Sequence, residues 1–389
     1  MSDFAPNPAI SFDRILIIRL SALGDCIHAL PAFHHLRLLF PQSKIAWAIE
    51  DRCASLLDDL PGLDHRIVFP RRELRGLAAK PWAWPGALAR LLSIRSALRA
   101  FRPTVAFDFQ GNTKSALHAR LSGAPSRIGI ADAKEGAERW YNFQVHLDGP
   151  VHRVERPLQL LRAAGIPATP NRPPYAVPDR DRQAIEAWLI HVGARRTVIL
   201  HPGTSKFGAM KRWPVEKWSR LGDLLAADGL RTVIFAWGPG ERGIAEAALA
   251  GMTVQGGVLG PESPRVPTLA ALLRKASVFV GCDSGPLHLA ALLGTPVIGL
   301  YGPKAPEIYG PYCENHVVIW KGLACSPCTR RDCAIPDCMN FIEPEEVARA
   351  TEGLLLRIKS PAARKVAAGA GETLWASGEG WAVGKEEQQ

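Results

Sequence analysis

The stretch RILIIRLSALGD, residues 14–25, decides how the chain is read. Ile15 to Ile18 are four consecutive aliphatic residues, and Leu20 follows after Arg19. A run with no polar alternation must be covered on both faces, which is the pattern of a strand inside a parallel sheet. The run stops at Ser21, and Gly24-Asp25 opens a helical pattern that reaches about Phe40, where Pro41 ends it. Strand, short polar turn and helix form the first part of a βαβ unit.

The same grammar repeats outward. KIAWAIE (44–50), HRIVFP (65–70), TVAFDFQG (104–111) and SRIGI (126–130) read as further strands, with a helix over GALARLLSIRSALRAF (86–101). The alternation then breaks at five prolines between residues 167 and 178, which suit neither a helix nor a central strand. It restarts with strands at RTVILHPG (196–203), RTVIFAWG (231–238), SVFVGCDS (277–284) and PVIGLYG (296–302). Helical patterns occupy 214–228, 241–250, 268–276, 285–293 and 344–359. The expectation is an α/β protein of two doubly wound domains: 1–170, a Pro-rich linker at 171–180, and 181–359, followed by a disordered tail at 360–389 rich in Gly, Ala and Glu.

Composition agrees. The chain has 389 residues, 47% of them hydrophobic and 22% charged, which excludes wholesale disorder and exceeds what one core usually serves. No apolar run reaches the roughly 18 residues needed to span a bilayer. The N-terminal segment MSDFAPNPAISFDR lacks the basic and apolar regions of a secretory signal, so a cytoplasmic location is expected. Net charge is +10, and nine basic residues face one acid, Glu73, between Arg66 and Arg102. Such a surface attracts phosphates, anionic lipid or nucleic acid, unless it is only a solvated face.

Ligands of doubly wound sheets bind outside the carboxyl ends of the strands, so the residues following each strand carry the functional reading. After the first strand stands Asp25, either a catalytic base or a helix cap worth about 1 kcal/mol. The loop HPGTSKFGAMKRWP (201–214) offers Thr204, two glycines and the cations Lys206, Lys211 and Arg212, as a phosphate clamp or a solvated basic loop. GPGERG (238–243) formally matches G-x-G-x-x-G. Pro239, however, removes a backbone donor, and no acidic residue closes a strand about 20 positions on, as a dinucleotide site needs. It reads instead as a nucleoside-binding turn with Glu241 toward ribose hydroxyls. In VGCDSGPLH (280–288) a strand ends at a polar turn. The free N–H groups around Ser284 and Gly285 make an anion site at a helix start, with Asp283 beside it for sugar hydroxyls. His288 reads as a packed helix residue.

RILIIRLSALGD, HPGTSKFGAMKRWP and VGCDSGPLHLAALLGTPVIGLYGP, in that order from about Arg14 to Lys359, resemble the family 9 glycosyltransferases, the bacterial lipopolysaccharide heptosyltransferases. The resemblance implies a GT-B fold, two Rossmann-like domains facing across a cleft, the first binding the acceptor and the second the nucleotide-sugar donor, with hinge closure at the Pro-rich stretch. It implies transfer of a heptose from ADP-heptose, with inversion and no required metal or other cofactor, to the inner core of lipopolysaccharide (Kdo–lipid A or heptosyl-Kdo–lipid A). Asp25 takes the position of the proposed base, Thr204 and Lys211 fall where the donor phosphates are contacted, and Glu241 falls at a ribose-contacting position. Asp283 falls at the donor sugar, and Ser284 and Gly285 beside the diphosphate. The basic segment then has a partner other than nucleic acid: Arg71, Arg72, Arg75, Lys80, Trp82 and Trp84 would meet acceptor and head groups at the inner face of the inner membrane. Other readings are a relative using another nucleotide sugar or a protein acceptor, and a non-catalytic nucleotide-sugar-binding module. Asp25, Lys211 and Asp283 together weigh against the latter.

Cys26, Cys53, Cys282 and Cys313 read as reduced core or site-edge thiols. Cys325, Cys328, Cys333 and Cys338 have a spacing that permits a structural zinc site, with reduced thiols or a redox-labile pair as the alternatives. A similar cluster occurs in some members of the family.

Overall fold

The computed structural model describes residues 10–359 apart from 329 and 331–332; the tail expected to be disordered lies outside the described residues. The chain divides into two compact units, Met1–Ala176 and Val177–Gln389.

The first unit holds β1 (Arg14–Ile18), β2 (Lys44–Glu50), β3 (His65–Phe69), β4 (Val105–Asp108), β5 (Ser126–Ile130) and β6 (Phe143–Val145), in the order β3-β2-β1-β4-β5-β6. The second holds β7 (Val198–His201), β8 (Val233–Phe235), β9 (Gly257–Leu259), β10 (Val278–Cys282), β11 (Val297–Tyr301) and β12 (His316–Trp320), in the order β12-β11-β10-β7-β8-β9. Every pairing is parallel. Counted from its own first strand, each sheet has the Rossmann order 3-2-1-4-5-6. Each therefore reverses direction once, between β1 and β4 and between β7 and β10, and the crevice at that reversal is where such sheets bind ligands. The aliphatic run of residues 15–18 is fully buried, as its lack of alternation requires.

Three strands absent from the sequence reading are β6, β9 and β12. The first two have three residues each, and all three are edge strands whose residues are mostly half-buried, so they carry little apolar signal. The single helix expected from Gly24 to Phe40 is two, Leu23–His28 and Leu30–Leu39. Pro31, in the first turn of the second, has no N–H to continue the ladder of the first.

The expected linker at 171–180 is not free chain. The His35 ring nitrogen lies 2.6 Å from the Thr169 carbonyl, and the Tyr175 hydroxyl donates to the Leu56 carbonyl (3.0 Å), so the proline stretch is pinned to the first unit. The helix Asp179–His191 already belongs to the second unit.

In the second unit Trp213 and Trp218 pack edge to face with ring centroids 5.1 Å apart, and Trp213 Nε1 donates to the Ile342 carbonyl (2.9 Å). These contacts anchor the C-terminal end of the basic loop that sequence reading singled out.

Candidate functional site

At the switch point of the first unit, Asp25 lies in the first turn of the helix Leu23–His28. It is not that helix's cap: the cap position is Ala22, with no side-chain bond. Asp25 instead pairs with Arg19 (Nη2 to Oδ2, 2.7 Å), a buried guanidinium that also donates through Nη1 to the Phe109 carbonyl (2.6 Å). The Asp25 side chain keeps 31% of its surface exposed. The adjoining loops brace each other. Gln110 Oε1 accepts from the Leu20 and Ser21 N–H groups (2.9 and 3.2 Å). Asp108, fully buried at the end of β4, accepts from the N–H groups of Gln110 and Gly111 and from the Tyr141 hydroxyl. Burial pushes the Asp108 carboxyl above its ordinary range in spite of these donors.

Glu50 ends β2 with no exposed surface and is ion-paired to Arg52 (2.8 Å), Arg71 (3.1 Å) and Lys114. Burial raises its pKa, but the Lys114, Arg52 and Arg71 charges outweigh that and hold it below the usual value. Lys114 is placed by a capping box, with Asn112 Oδ1 accepting from Ser115 N–H and Ser115 Oγ accepting from Asn112 N–H. Arg71 is therefore at the carboxyl edge of the sheet beside Lys114. Arg72, Arg75 and Lys80 are exposed on the helix Arg71–Ala78 and just beyond it.

At the switch point of the second unit, Lys211 Nζ lies 2.5 Å from Asp283 Oδ2, and His288 Nε2 lies 3.4 Å from Asp283 Oδ1. Asp283 is buried, which raises its pKa, but His288 and Lys211 bring it below the ordinary carboxylate value. His288 is thus both the packed helix residue expected and a neighbour of the site. Ser284 caps the nine-residue helix Gly285–Leu293. Its Oγ caps no N–H of that helix and, among the described residues, is buried without a partner, beside the helix's unsatisfied N–H groups.

Glu241 precedes the helix Arg242–Ala250. Its Oε2 accepts from Gly238 N–H (3.1 Å) and stands 3.4 Å from His201 Nε2. Gly203 makes room for it: a Cβ there would come 2.6 Å from the Glu241 carboxyl carbon. Burial holds the His201 ring below its ordinary pKa although Glu241 raises it.

Two residues of the expected phosphate clamp, Thr204 and Arg212, also bond within their own loop. The Thr204 side chain is buried, donates to the Gly208 carbonyl (2.9 Å) and accepts from Arg212 Nε (3.1 Å). Arg212 also donates to the Thr204 carbonyl (2.9 Å), so both residues brace the loop that presents Lys211. The Lys206 side chain is not among those described.

The possible zinc set, Cys325, Cys328, Cys333 and Cys338, stands as four free thiols. Cys325 and Cys333 are exposed, Cys338 packs toward Gly302, and all eight cysteines are free thiols. Among the described residues, no three His, Cys, Asp or Glu side chains stand together so as to hold a metal ion. Sequence reasoning missed Arg19, Gln110, Glu50, Lys114 and His201; of these, Arg19 and His201 lie inside motifs quoted for the family resemblance.

Two Rossmann-like units, one presenting an oriented carboxylate and the other a cation beside a helix N-terminus, define a two-domain glycosyltransferase of the GT-B class. The chain belongs to glycosyltransferase family 9 (heptosyltransferase), whose family model matches residues 91–338. It is 31% identical over 311 residues to lipopolysaccharide heptosyltransferase 1 of Escherichia coli (strain K12), covering 78% of this chain and 92% of that one. It is 28% identical over 368 residues to lipopolysaccharide heptosyltransferase 1 of Pseudomonas aeruginosa PAO1, covering 88% and 98%. Among solved structures, E. coli heptosyltransferase WaaC with ADP superposes with a TM-score of 0.69 at 25% identity, covering 88% of this chain and 99% of that one. A family 9 glycosyltransferase from Veillonella parvula gives 0.76 at 21% identity, covering 89% and 98%.

Proposed function

We propose that this enzyme transfers a heptose from ADP-heptose to the lipopolysaccharide inner core, with inversion at the anomeric carbon. The observation that carries the donor half is the buried, unpartnered Ser284 hydroxyl at the start of the helix Gly285–Leu293, with Lys211 held on Asp283 at its edge. Unfilled donors, a helix dipole and a cation fit a diphosphate. The relatives named lipopolysaccharide heptosyltransferase 1, and a related structure holding ADP, support the choice of donor and acceptor class.

In this reading Asp25 accepts the proton of the acceptor hydroxyl as that oxygen attacks the anomeric carbon. The bond from that carbon to the β-phosphate oxygen breaks, and its electron pair leaves with ADP. Lys211 and the N–H groups at Ser284 and Gly285 meet the growing charge on the diphosphate, so the reading needs no metal ion. An ammonium has three donors, so Lys211 can keep Asp283 while turning to phosphate. Glu241 meets the ribose hydroxyls, and Asp283 the sugar. The acceptor sits in the inner membrane, which puts the enzyme at its cytoplasmic face.

Purified protein with ADP-heptose and either Kdo–lipid A or heptosyl-Kdo–lipid A, followed by mass spectrometry, tests this. The expected result is ADP release matched by an acceptor heavier by one heptose. Transfer only from another nucleotide sugar, or only to a protein, would overturn it.

A further inference from the structure

We infer that the helix Trp84–Ala100, with the turn Pro81–Ala83 before it, is a docking element for an anionic lipid surface. Trp82, Trp84, Leu88, Leu91 and Leu92 are between 47% and 79% exposed. At about 100° per residue, positions 84, 88, 91 and 92 fall on one arc of the helix. The helix meets the core along a neighbouring arc, through Ile94 and Leu98. The core therefore does not account for the first arc, and single exposed leucines are ordinary whereas a contiguous stripe with two tryptophans is not.

Charge identifies the occupant. Arg95 and Arg99 continue the stripe toward the helix's C-terminal end, and Arg72, Arg75 and Lys80 stand exposed in the preceding segment. The one acid between Arg66 and Arg102, Glu73, is paired to Arg90 (2.9 Å). Leucines flanked by tryptophan and ringed by exposed cations match an interfacial helix: the apolar arc sinks to the acyl boundary, the indoles sit at head-group depth, and the cations meet lipid phosphates. A protein partner would need an apolar groove with an acidic rim of the same outline. The inference deepens the reading above, whose acceptor is lipid-linked, but its observations are independent of the catalytic residues.

The test is sedimentation of the full chain with vesicles of phosphatidylglycerol and phosphatidylethanolamine, against vesicles of phosphatidylcholine alone. The protein is expected to sediment with the anionic vesicles and far less with the neutral ones. Leu88→Asp/Leu92→Asp should lose at least about tenfold in vesicle binding, and Arg95→Glu should lose the anionic preference. Both variants should keep the parent's Tm, its ADP affinity and its transfer to a deacylated, soluble acceptor. Absence of vesicle binding by the parent, or equal binding by the double variant, would overturn the proposal. So would a parent dimer in sizing chromatography that the double variant dissolves with vesicle binding unchanged, which would assign the stripe to a second copy. Vesicle binding without heptose transfer would instead refute the function proposed above and leave the docking element standing.

Discussion

Gly203→Ala should damage ADP binding by displacing Glu241, without removing any group that contacts ADP. A Cβ at residue 203 would lie 2.6 Å from Glu241 Cδ and Oε2, and 2.9 Å from Glu241 Cβ. The clash reaches the stem of the side chain, so rotating the carboxylate alone does not relieve it. Glu241 must leave its place, losing the bond from Gly238 N–H (3.1 Å) and its station beside His201. If Glu241 holds the ribose through charge-assisted hydrogen bonds, its displacement removes about 1.5–3 kcal/mol, or roughly 10–100-fold in Kd for ADP. Glu241→Ala should cost a similar amount by deleting the same group. The double variant should then be no worse than Glu241→Ala, because nothing remains for the new methyl to strike; the coupling should nearly equal one whole single-variant effect. Titration calorimetry of the four proteins with ADP measures the cycle, and Tm confirms that each is folded. Additive losses, or an unchanged Kd in Gly203→Ala, would refute the placement of Glu241 on the nucleoside.

Asp25→Asn should bind ADP like the parent yet lose about 10²–10⁴-fold in kcat, since proton removal contributes on that scale; comparable turnover in a mass-spectrometric assay would leave the ion pair with Arg19 a purely structural one. Lys211→Ala should weaken ADP binding by about tenfold or more and slow transfer together. It should also lower Tm, because Asp283 stays buried with its cation gone; unchanged calorimetry would place Lys211 outside the donor site. Burial, first among the causes, holds the pKa of His118, His201 and His316 below the ordinary value, so the unfolded chain binds protons first as pH falls. Their contribution to stability is present above about pH 6.5 and lost as pH drops through it. Tm should therefore decline between about pH 7 and pH 5, and a flat profile would contradict the neutral, buried state of these rings.

Much of the fold was legible because its information is local. An isoleucine-rich aliphatic run that stops at a polar turn reads as a covered strand, and the turns after β1, β7 and β10 announce themselves by a sudden change to Gly, Asp, Ser and Pro. Asp25, Lys211 and Asp283 could be singled out for the same reason, since a strand's carboxyl end and a helix start are read from adjacent residues. The edge strands β6 and β9 escaped because three half-buried residues carry too little pattern.

What the tertiary structure alone decided is which loops meet. Lys211 and Asp283 are 72 positions apart and become partners because β7 and β10 are neighbours at the sheet's reversal. Gln110 reaches the Leu20 and Ser21 amides because β4 lies against β1, and Arg19 can turn Asp25 only because Phe109 offers it a carbonyl. Thr204 and Arg212 look like phosphate ligands by residue type, and only the closed loop shows that they also brace each other. The four late cysteines have a spacing that permits a metal site, but sequence spacing limits only how far thiols can be apart and leaves their direction to packing. Residue type and order set which chemistry each strand end can offer; strand neighbours and side-chain packing set which of those groups act on one another.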